Sequence, residues 1–231
     1  MNANPIPIRI LVDSAIRAEA EPWLRTGVAS GVTTNPTLLR RAGLGLADLP
    51  EIAHWAEGEG EGATGEGQRE VCFQLWGSTV EEQYASAMRL RELAPGATIK
   101  VPVSPIGAAV ITRLHAQQVP VLMTAVYSAQ QMVVASALGV RYLAPYFNRM
   151  QVAGRDALEH IRTMTEAVPQ DGSGPLVMAA SVKSAAQVVE LVRAGARVFT
   201  LPPAVIADVF ADQLTTDAIG VFEDDMAAIL G

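Results

Sequence analysis

The sequence predicts an α/β fold in which eight parallel strands, each followed by a helix, close into a single (β/α)₈ barrel. Short apolar runs alternate with helical segments about every 25 to 30 residues, which indicates crossover units and a parallel sheet. The length of 231 residues suits one such domain. Half of the residues are hydrophobic, enough for a large core. The alternative, an open doubly wound sheet, would carry a glycine-rich phosphate loop after the first strand, and Asp13-Ser14-Ala15-Ile16 is not one.

The strands are assigned to near-continuous apolar runs, because a parallel strand is buried on both faces. The predicted strands cover residues 9–14, 31–36, 70–76, 97–103, 119–126, 141–147, 176–181 and 197–202. Several of these runs end in a polar residue followed by a helix start. Asn35 precedes a proline, which holds it extended and prevents an early helix.

Helices are predicted between the strands, where glycines end several of the segments. They cover residues 15–26, 37–42, 46–56, 79–94, 106–118, 128–138, 155–167, 184–194 and 204–212, with an additional C-terminal helix at 216–230. Thr79 and Glu82 have the spacing of a capping box. Ser128 is expected to cap the helix that follows it. We therefore predict one domain over residues 1–231.

Residues 57–67 alternate glutamate and glycine, a composition that cannot pack a core. We interpret this segment as an acidic surface loop. A metal site is the less favoured alternative, because such a repeat lacks fixed ligand geometry.

The overall charge narrows the classes of partner. The formal net charge is −7 and the isoelectric point is near 5.0, which argues against a nucleic acid or an anionic membrane as the main partner.

A single cysteine, Cys72, fits the reducing cytoplasm. The first seven residues do not resemble a signal peptide. No uncharged apolar run reaches the roughly 18 residues of a membrane-spanning helix.

Lys100 lies near the middle of the fourth apolar run, where an unpaired charge is costly. A desolvated amine loses its proton more readily and then attacks carbonyl groups to form a Schiff base. The alternative for any lone lysine in a strand is a side chain that reaches solvent or pairs with a carboxylate. The residues at the other strand ends favour the catalytic interpretation.

Polar residues recur at the carboxyl ends of the predicted strands, the end at which barrels of this class hold their active sites. They are Asp13, Asn35, Gln74, Lys100, Thr124, Tyr146 and Ser181. Their spacing is consistent with side chains that point inward. Each has an ordinary alternative: Asp13 and Ser181 as helix caps, Asn35 in a turn, and Tyr146 as a core residue. Their convergence around one lysine indicates a small-molecule site.

A second group consists of Arg149, just after the sixth strand, with Ser181 and Lys183 after the seventh. Barrel phosphate sites tend to form near the last strands and a helix N-terminus. An arginine fork, a hydroxyl and an ammonium suit a phosphate. The alternative is two solvated surface cations and a cap.

Five segments together resemble the transaldolase family, and within it the small fructose 6-phosphate aldolase-like branch. They are Gly31-Val32-Thr33-Thr34-Asn35-Pro36, Ile99-Lys100-Val101-Pro102-Val103, Thr124-Ala125-Val126-Tyr127, Ala144-Pro145-Tyr146-Phe147-Asn148-Arg149 and Ala179-Ala180-Ser181-Val182-Lys183. The resemblance covers nearly the whole chain. It implies a (β/α)₈ barrel, a class I aldol mechanism without metal or cofactor, and ring-like homo-oligomers, pentameric or decameric, in which the C-terminal helix packs on a neighbour.

The resemblance also implies roles for individual residues. Lys100 would be the Schiff-base lysine and Tyr146 the acid/base, while Thr124 would place a catalytic water with Gln74 beside it. Asp13, Thr34 and Asn35 would hold the donor unit, and Arg149, Ser181 and Lys183 the acceptor phosphate. Transaldolases proper carry glutamate where Gln74 stands and usually phenylalanine where Tyr146 stands. An amide can only position a water, whereas a carboxylate can act as its base.

We therefore expect a cytoplasmic class I aldolase that makes or cleaves a carbon–carbon bond in a ketose or ketose phosphate, with a dihydroxyacetone- or hydroxyacetone-type donor. The first alternative is a transaldolase that passes a dihydroxyacetone unit between sugar phosphates. The second, from another class, is a non-catalytic sugar-phosphate-binding barrel, because a fold alone does not assign function.

Overall fold

Eight parallel strands form a closed barrel in a computed structural model, which describes residues 6–58 and 69–231. The strands are β1 (Arg9–Asp13), β2 (Gly31–Thr33), β3 (Glu70–Gln74), β4 (Thr98–Pro102), β5 (Val121–Val126), β6 (Tyr142–Pro145), β7 (Leu176–Ala179) and β8 (Val198–Leu201). Each strand pairs with the next along the chain, and β8 pairs with β1. The predicted fold class is confirmed.

Helices surround this sheet, and the additional C-terminal helix is present. They are α1 (Arg17–Arg25), α2 (Pro36–Ala42), α3 (Leu49–Glu57), α4 (Val80–Leu93), α5 (Pro105–His115), α6 (Gln131–Ala137), α7 (Phe147–Val152), α8 (Ala157–Ala167), α9 (Ala185–Arg193), α10 (Pro203–Phe210) and α11 (Gln213–Leu230). The capping box that opens α4 is confirmed, since the Thr79 hydroxyl accepts from Glu82 N at 3.2 Å. None of these helices is long and apolar enough to cross a membrane.

Several local predictions were wrong, among them the second strand, which ends at Thr33 and not at residue 36. Ser128 does not cap α6, which begins at Gln131 without a side-chain cap. The amide oxygen of Gln131 instead accepts hydrogen bonds from two backbone N–H groups just before the helix. The sixth strand ends at Pro145, and the short helix α7 follows at once. Residues 46–48 form a 3₁₀ turn ahead of α3. Of the Glu/Gly segment, residues 59–67 lie outside the described residues.

Two apolar layers position the functional end of the barrel. The larger one lies between the sheet and the helices. The smaller one fills the barrel interior with inward-pointing side chains, including Leu11, Cys72, Leu122, Tyr142 and Met178. Because strand side chains alternate between the two faces, Asp13, two positions beyond Leu11, points into the space above this plug.

The amino ends of the strands are closed by a polar network around Glu70, whose side chain is 8% exposed. Its carboxylate accepts hydrogen bonds from the Thr98 hydroxyl at 2.6 Å and the Tyr142 hydroxyl at 2.8 Å, and it pairs with Arg9 and Arg141 at 3.3 and 3.5 Å. Burial raises the pKa of the Tyr142 hydroxyl far above its ordinary value. This end of the barrel is therefore held shut, away from the predicted site.

Helix α11 is exposed along its whole length. It carries large apolar side chains that are at least 47% exposed, among them Leu214, Ile219, Phe222, Met226 and Ile229. An exposed apolar row of this size is typical of a surface that contacts another protein.

Candidate active site

Lys100 lies on β4 with only 5% of its surface exposed. Its Nζ donates a hydrogen bond to the backbone carbonyl of Thr34 at 2.8 Å. Among residues 6–58 and 69–231, no carboxylate forms an ion pair with this amine. The amine is therefore buried against a neutral acceptor, and the alternative of a structural ion pair does not hold within this part of the chain.

A cavity of about 610 Å³ opens above Lys100. Seven of the ten predicted site residues line it: Asp13, Asn35, Lys100, Tyr146, Arg149, Ser181 and Lys183. The other three were Thr34, Thr124 and Gln74. The first two contact lining residues directly, as described below, and Gln74 does not join this cavity. The sequence prediction of convergence at the carboxyl ends of the strands thus matches the geometry.

Asp13 ends β1 and lies in a small hydrogen-bond chain. The Thr33 hydroxyl donates to Asp13 Oδ1 at 2.8 Å and lies 2.5 Å from the Thr200 hydroxyl. Helix α1 has Ile16 as its N-cap residue, so Asp13 is not a helix cap. Its carboxylate is instead oriented toward the cavity by neighbouring strands.

The side chain of Asn35 caps a helix through its oxygen and leaves its amide N–H groups for other contacts. Its Oδ1 accepts hydrogen bonds from the backbone N–H groups of Thr37 at 3.0 Å and Leu38 at 3.1 Å, which caps α2. Its amide N–H groups have no acceptor among the described residues. The cap therefore turns a donor toward the cavity that Asn35 lines.

Tyr146 and Thr124 form a polar pair on neighbouring strand ends. Their hydroxyl oxygens lie 2.9 Å apart, and Thr124 is 1% exposed. The Tyr127 ring packs edge-on against Tyr146 at 5.5 Å, and the Arg149 guanidinium lies 4.8 Å from the centre of the Tyr146 ring. These contacts fix the tyrosine ring, so its hydroxyl can give or take a proton at a defined position.

Gln74 pairs in register with Lys100 across β3 and β4. It lines a neighbouring apolar cavity of about 290 Å³, together with Phe73 and Trp76. The structure thus places Gln74 at the edge of the site and not in the same cavity as Tyr146. Its role beside a catalytic water stays a prediction.

The residues predicted to bind a phosphate lie around the mouth of the cavity. Arg149, on α7, donates to the Tyr127 hydroxyl at 3.4 Å, a contact that raises the pKa of the guanidinium. Ser181 has a φ of +59°, a strained value for a residue other than glycine. Ser184, not Ser181, caps α9. The Lys183 ammonium has no partner among the described residues.

The cavity also contains residues that sequence reasoning missed, notably Arg41, Asn148 and Thr200. The period of two along the last strand could have identified Thr200, because it shares a face with the inward-pointing Val198. Arg41 ends a short helix, where a cation is ordinary, and nothing in the sequence distinguished it from Arg40. The described residues contain no cluster of three or more His, Cys, Asp or Glu side chains that could hold a metal ion.

Comparison with known proteins agrees with this geometry. The family model described as transaldolase/fructose-6-phosphate aldolase matches residues 10–230. A similar protein from Rhodospirillum centenum (strain ATCC 51521 / SW), named probable transaldolase, is 30% identical over 220 residues, which cover 94% of this chain and 90% of that protein. The chain is an enzyme of the transaldolase or aldolase kind and belongs to the transaldolase/fructose-6-phosphate aldolase family.

Proposed function

We propose that this protein is a class I aldolase that forms a Schiff base at Lys100 and makes or cleaves a carbon–carbon bond in a ketose or ketose phosphate. The observation that carries the proposal is the buried Lys100 amine, which lines a polar cavity and, within residues 6–58 and 69–231, is held by one neutral backbone carbonyl. No carboxylate of the described residues pairs with this amine, and Schiff-base formation uses a neutral amine as its nucleophile.

In the cleavage direction, the neutral amine attacks the ketose carbonyl, and loss of water gives an iminium. The iminium accepts the electron pair of the C3–C4 bond as that bond breaks, while the C4 hydroxyl loses its proton and leaves as an aldehyde. The resulting enamine takes a proton at C3. Hydrolysis then frees dihydroxyacetone or hydroxyacetone and restores the amine. The Tyr146 hydroxyl, paired with Thr124, is suited to these proton transfers through a water.

The remaining residues divide between the two ends of the substrate. Asp13 and the free amide N–H groups of Asn35 suit the hydroxyl groups of the donor unit, and Thr34 contributes the carbonyl that holds the amine. Arg149, Ser181 and Lys183 suit the phosphate of the acceptor. Gln74 carries no charge and so would position a water and not act as its base.

Trapping with borohydride tests the mechanism, and the composition of the chain makes the result easy to read. Lys100 and Lys183 are the two lysines of the sequence. Borohydride added with fructose 6-phosphate should attach a three-carbon mass to the peptide that contains Lys100. Lys183→Met should keep this adduct, and Lys100→Met should lose both the adduct and turnover. Ligand binding without a trapped imine or turnover would instead indicate a non-catalytic sugar-phosphate-binding barrel.

Transaldolase activity is the second candidate, favoured by the printed name of the relative, probable transaldolase. A transaldolase keeps the dihydroxyacetone unit on the enzyme until an aldose phosphate accepts it. Cleavage of fructose 6-phosphate should then need erythrose 4-phosphate, whereas an aldolase releases free dihydroxyacetone without it. Measuring both products separates the two activities.

We also propose a homo-oligomer, with the pentameric or decameric ring taken from the family resemblance; the exposed apolar residues of α11 support a contact between subunits. The substitution Phe222→Asp should lower the mass measured by light scattering if this helix packs on a neighbouring subunit. An unchanged mass would contradict this role for α11. A cytoplasmic location stays a prediction from the single cysteine. The absence of nucleic-acid and membrane partners stays a prediction from the negative net charge.

A further inference from the structure

The mouth of the active-site cavity is cationic, although the whole chain carries a formal charge of −7. Besides Lys100, the charged residues that line it are Arg41, Arg149, Lys183 and Asp13. Three cations against one carboxylate leave two positive charges, which a phosphate monoester with nearly two negative charges at neutral pH can neutralise. Arg149 and Lys183 belong to the site already described, and Arg41 is the cation without an assigned role.

Arg41 reaches the cavity from the wall opposite Arg149. Helix α2 follows β2 and helix α7 follows β6, and these strands are four places apart in a closed barrel of eight. Each helix lines the cavity with residues of one face: Thr37, Leu38 and Arg41 on α2, and Asn148, Arg149 and Val152 on α7. A ligand in the cavity therefore lies between the two helices.

Arg41 is also available to bind an anion. It forms no ion pair or hydrogen bond with any side chain of the described residues. The ordinary explanation is that a cation in the last turn of a helix interacts well with the helix dipole. Arg40 satisfies that explanation equally, but it lines the neighbouring apolar cavity and not this one. The dipole therefore does not account for the position of Arg41.

We infer that Arg41 is a specificity-determining residue that binds the substrate phosphate from the side opposite Arg149 and Lys183. The arginine fork matches phosphate oxygens, and the opposed cations enclose one dianion. The inference rests on the proposed function, since it assigns the phosphate of that reaction. It makes the enzyme prefer phosphorylated substrates over uncharged ones of the same length.

The adjacent arginines provide a matched pair of variants. Arg41→Ala and Arg40→Ala remove the same charge from the same helical turn, but only the first changes the active-site cavity. The KM for glyceraldehyde 3-phosphate, relative to that for glyceraldehyde with the same donor, should rise about tenfold in Arg41→Ala, the loss expected for a hydrogen bond to a charged group. The ratio should stay within twofold of the wild-type value in Arg40→Ala.

Equal ratios in the two variants would overturn the inference, because long-range charge alone would then explain any effect. A loss confined to substrates with a second phosphate at the donor end would also overturn it, because Arg41 would then bind a different group. A double variant with Arg149→Ala should show a smaller loss than the product of the single losses, since both residues hold one phosphate. If the losses in the two single variants simply multiply in the double variant, Arg41 and Arg149 do not bind the same phosphate.

Binding of inorganic phosphate separates this inference from the proposed function. Phosphate should raise the melting temperature of the wild type and of Arg40→Ala, and it should raise that of Arg41→Ala by less at the same concentration. This readout needs no turnover. If borohydride traps nothing at Lys100 but the phosphate shift depends on Arg41, the mechanism fails and the anion contact stands. If the imine forms and the shift is equal in all three proteins, only the inference fails.

Discussion

Replacing Lys100 by methionine should abolish activity and at the same time stabilise the fold. Methionine has a similar length and no polar atom that needs a partner. Lys100 is 5% exposed, and within the described part of the chain its amine makes one hydrogen bond, at 2.8 Å, to the Thr34 carbonyl. Removing an incompletely solvated amine stabilises by about 2 kcal/mol, and losing its one hydrogen bond costs about 1 kcal/mol. The net expectation is a gain of about 1 kcal/mol in the free energy of unfolding.

Urea unfolding of the wild type and Lys100→Met, followed by circular dichroism, measures this difference through the shift in midpoint at constant slope. Lys183→Met serves as the control, because that side chain is exposed and should change stability by less than about 0.5 kcal/mol. The reasoning fails if Lys100→Met is destabilised by 3 kcal/mol or more. A loss of about that size is expected when one partner of a buried ion pair is removed, and it would mean that the amine is structural.

Three further predictions follow from the site and the barrel interior. Tyr146→Phe removes the hydroxyl that pairs with Thr124 and should lower kcat at least about 100-fold. Borohydride should still trap Lys100 in this variant. An equal loss of kcat in Tyr127→Phe would contradict a special role for Tyr146. Ser181→Gly should be about 1 kcal/mol more stable than Ser181→Ala, because φ is +59° at this position. Both variants should bind phosphorylated substrate more weakly. Melting curves in which the alanine variant is the more stable one would refute the backbone strain. Burial raises the pKa of the Cys72 thiol in the folded protein. Above about pH 8.5 the thiol therefore ionises in the unfolded chain before it ionises in the folded one. The free energy of unfolding should then fall by up to about 1.4 kcal/mol per pH unit. Cys72→Ala should show a shallower fall, and parallel pH profiles would count against this assignment.

The barrel was predictable because its signals are local and repeated. Apolar runs with helical segments between them recur through the whole chain, and the only closed arrangement of eight such units is a barrel. The ends of the strands were harder to predict from the sequence. The sixth strand stops at Pro145 and Tyr146 leads directly into α7, although the predicted apolar run continues to residue 147. The Ser128 cap fails because the Gln131 N–H, which the Ser128 side chain would have accepted, donates to the Ser128 backbone carbonyl instead.

The site was predictable to the extent that it depends on strand periodicity. Lys100, Asp13 and Tyr146 come together because the carboxyl ends of parallel strands share one edge. Two aspects depend on how helices lie over that edge, which periodicity along a strand does not encode. Arg41 lines the active-site cavity from α2, while its neighbour Arg40 lines the apolar cavity. Gln74 shares the register of Lys100 but borders the apolar cavity instead.

The acceptor of the Lys100 amine belongs to the main chain of Thr34, and this has a consequence for how the enzyme can vary. A side-chain partner could be lost by a single codon change, but a peptide carbonyl is present whichever residue occupies position 34. The position of the Lys100 amine is therefore set by the path of the main chain just after β2. Substitutions around the mouth of the cavity can change its lining while this nitrogen keeps its place.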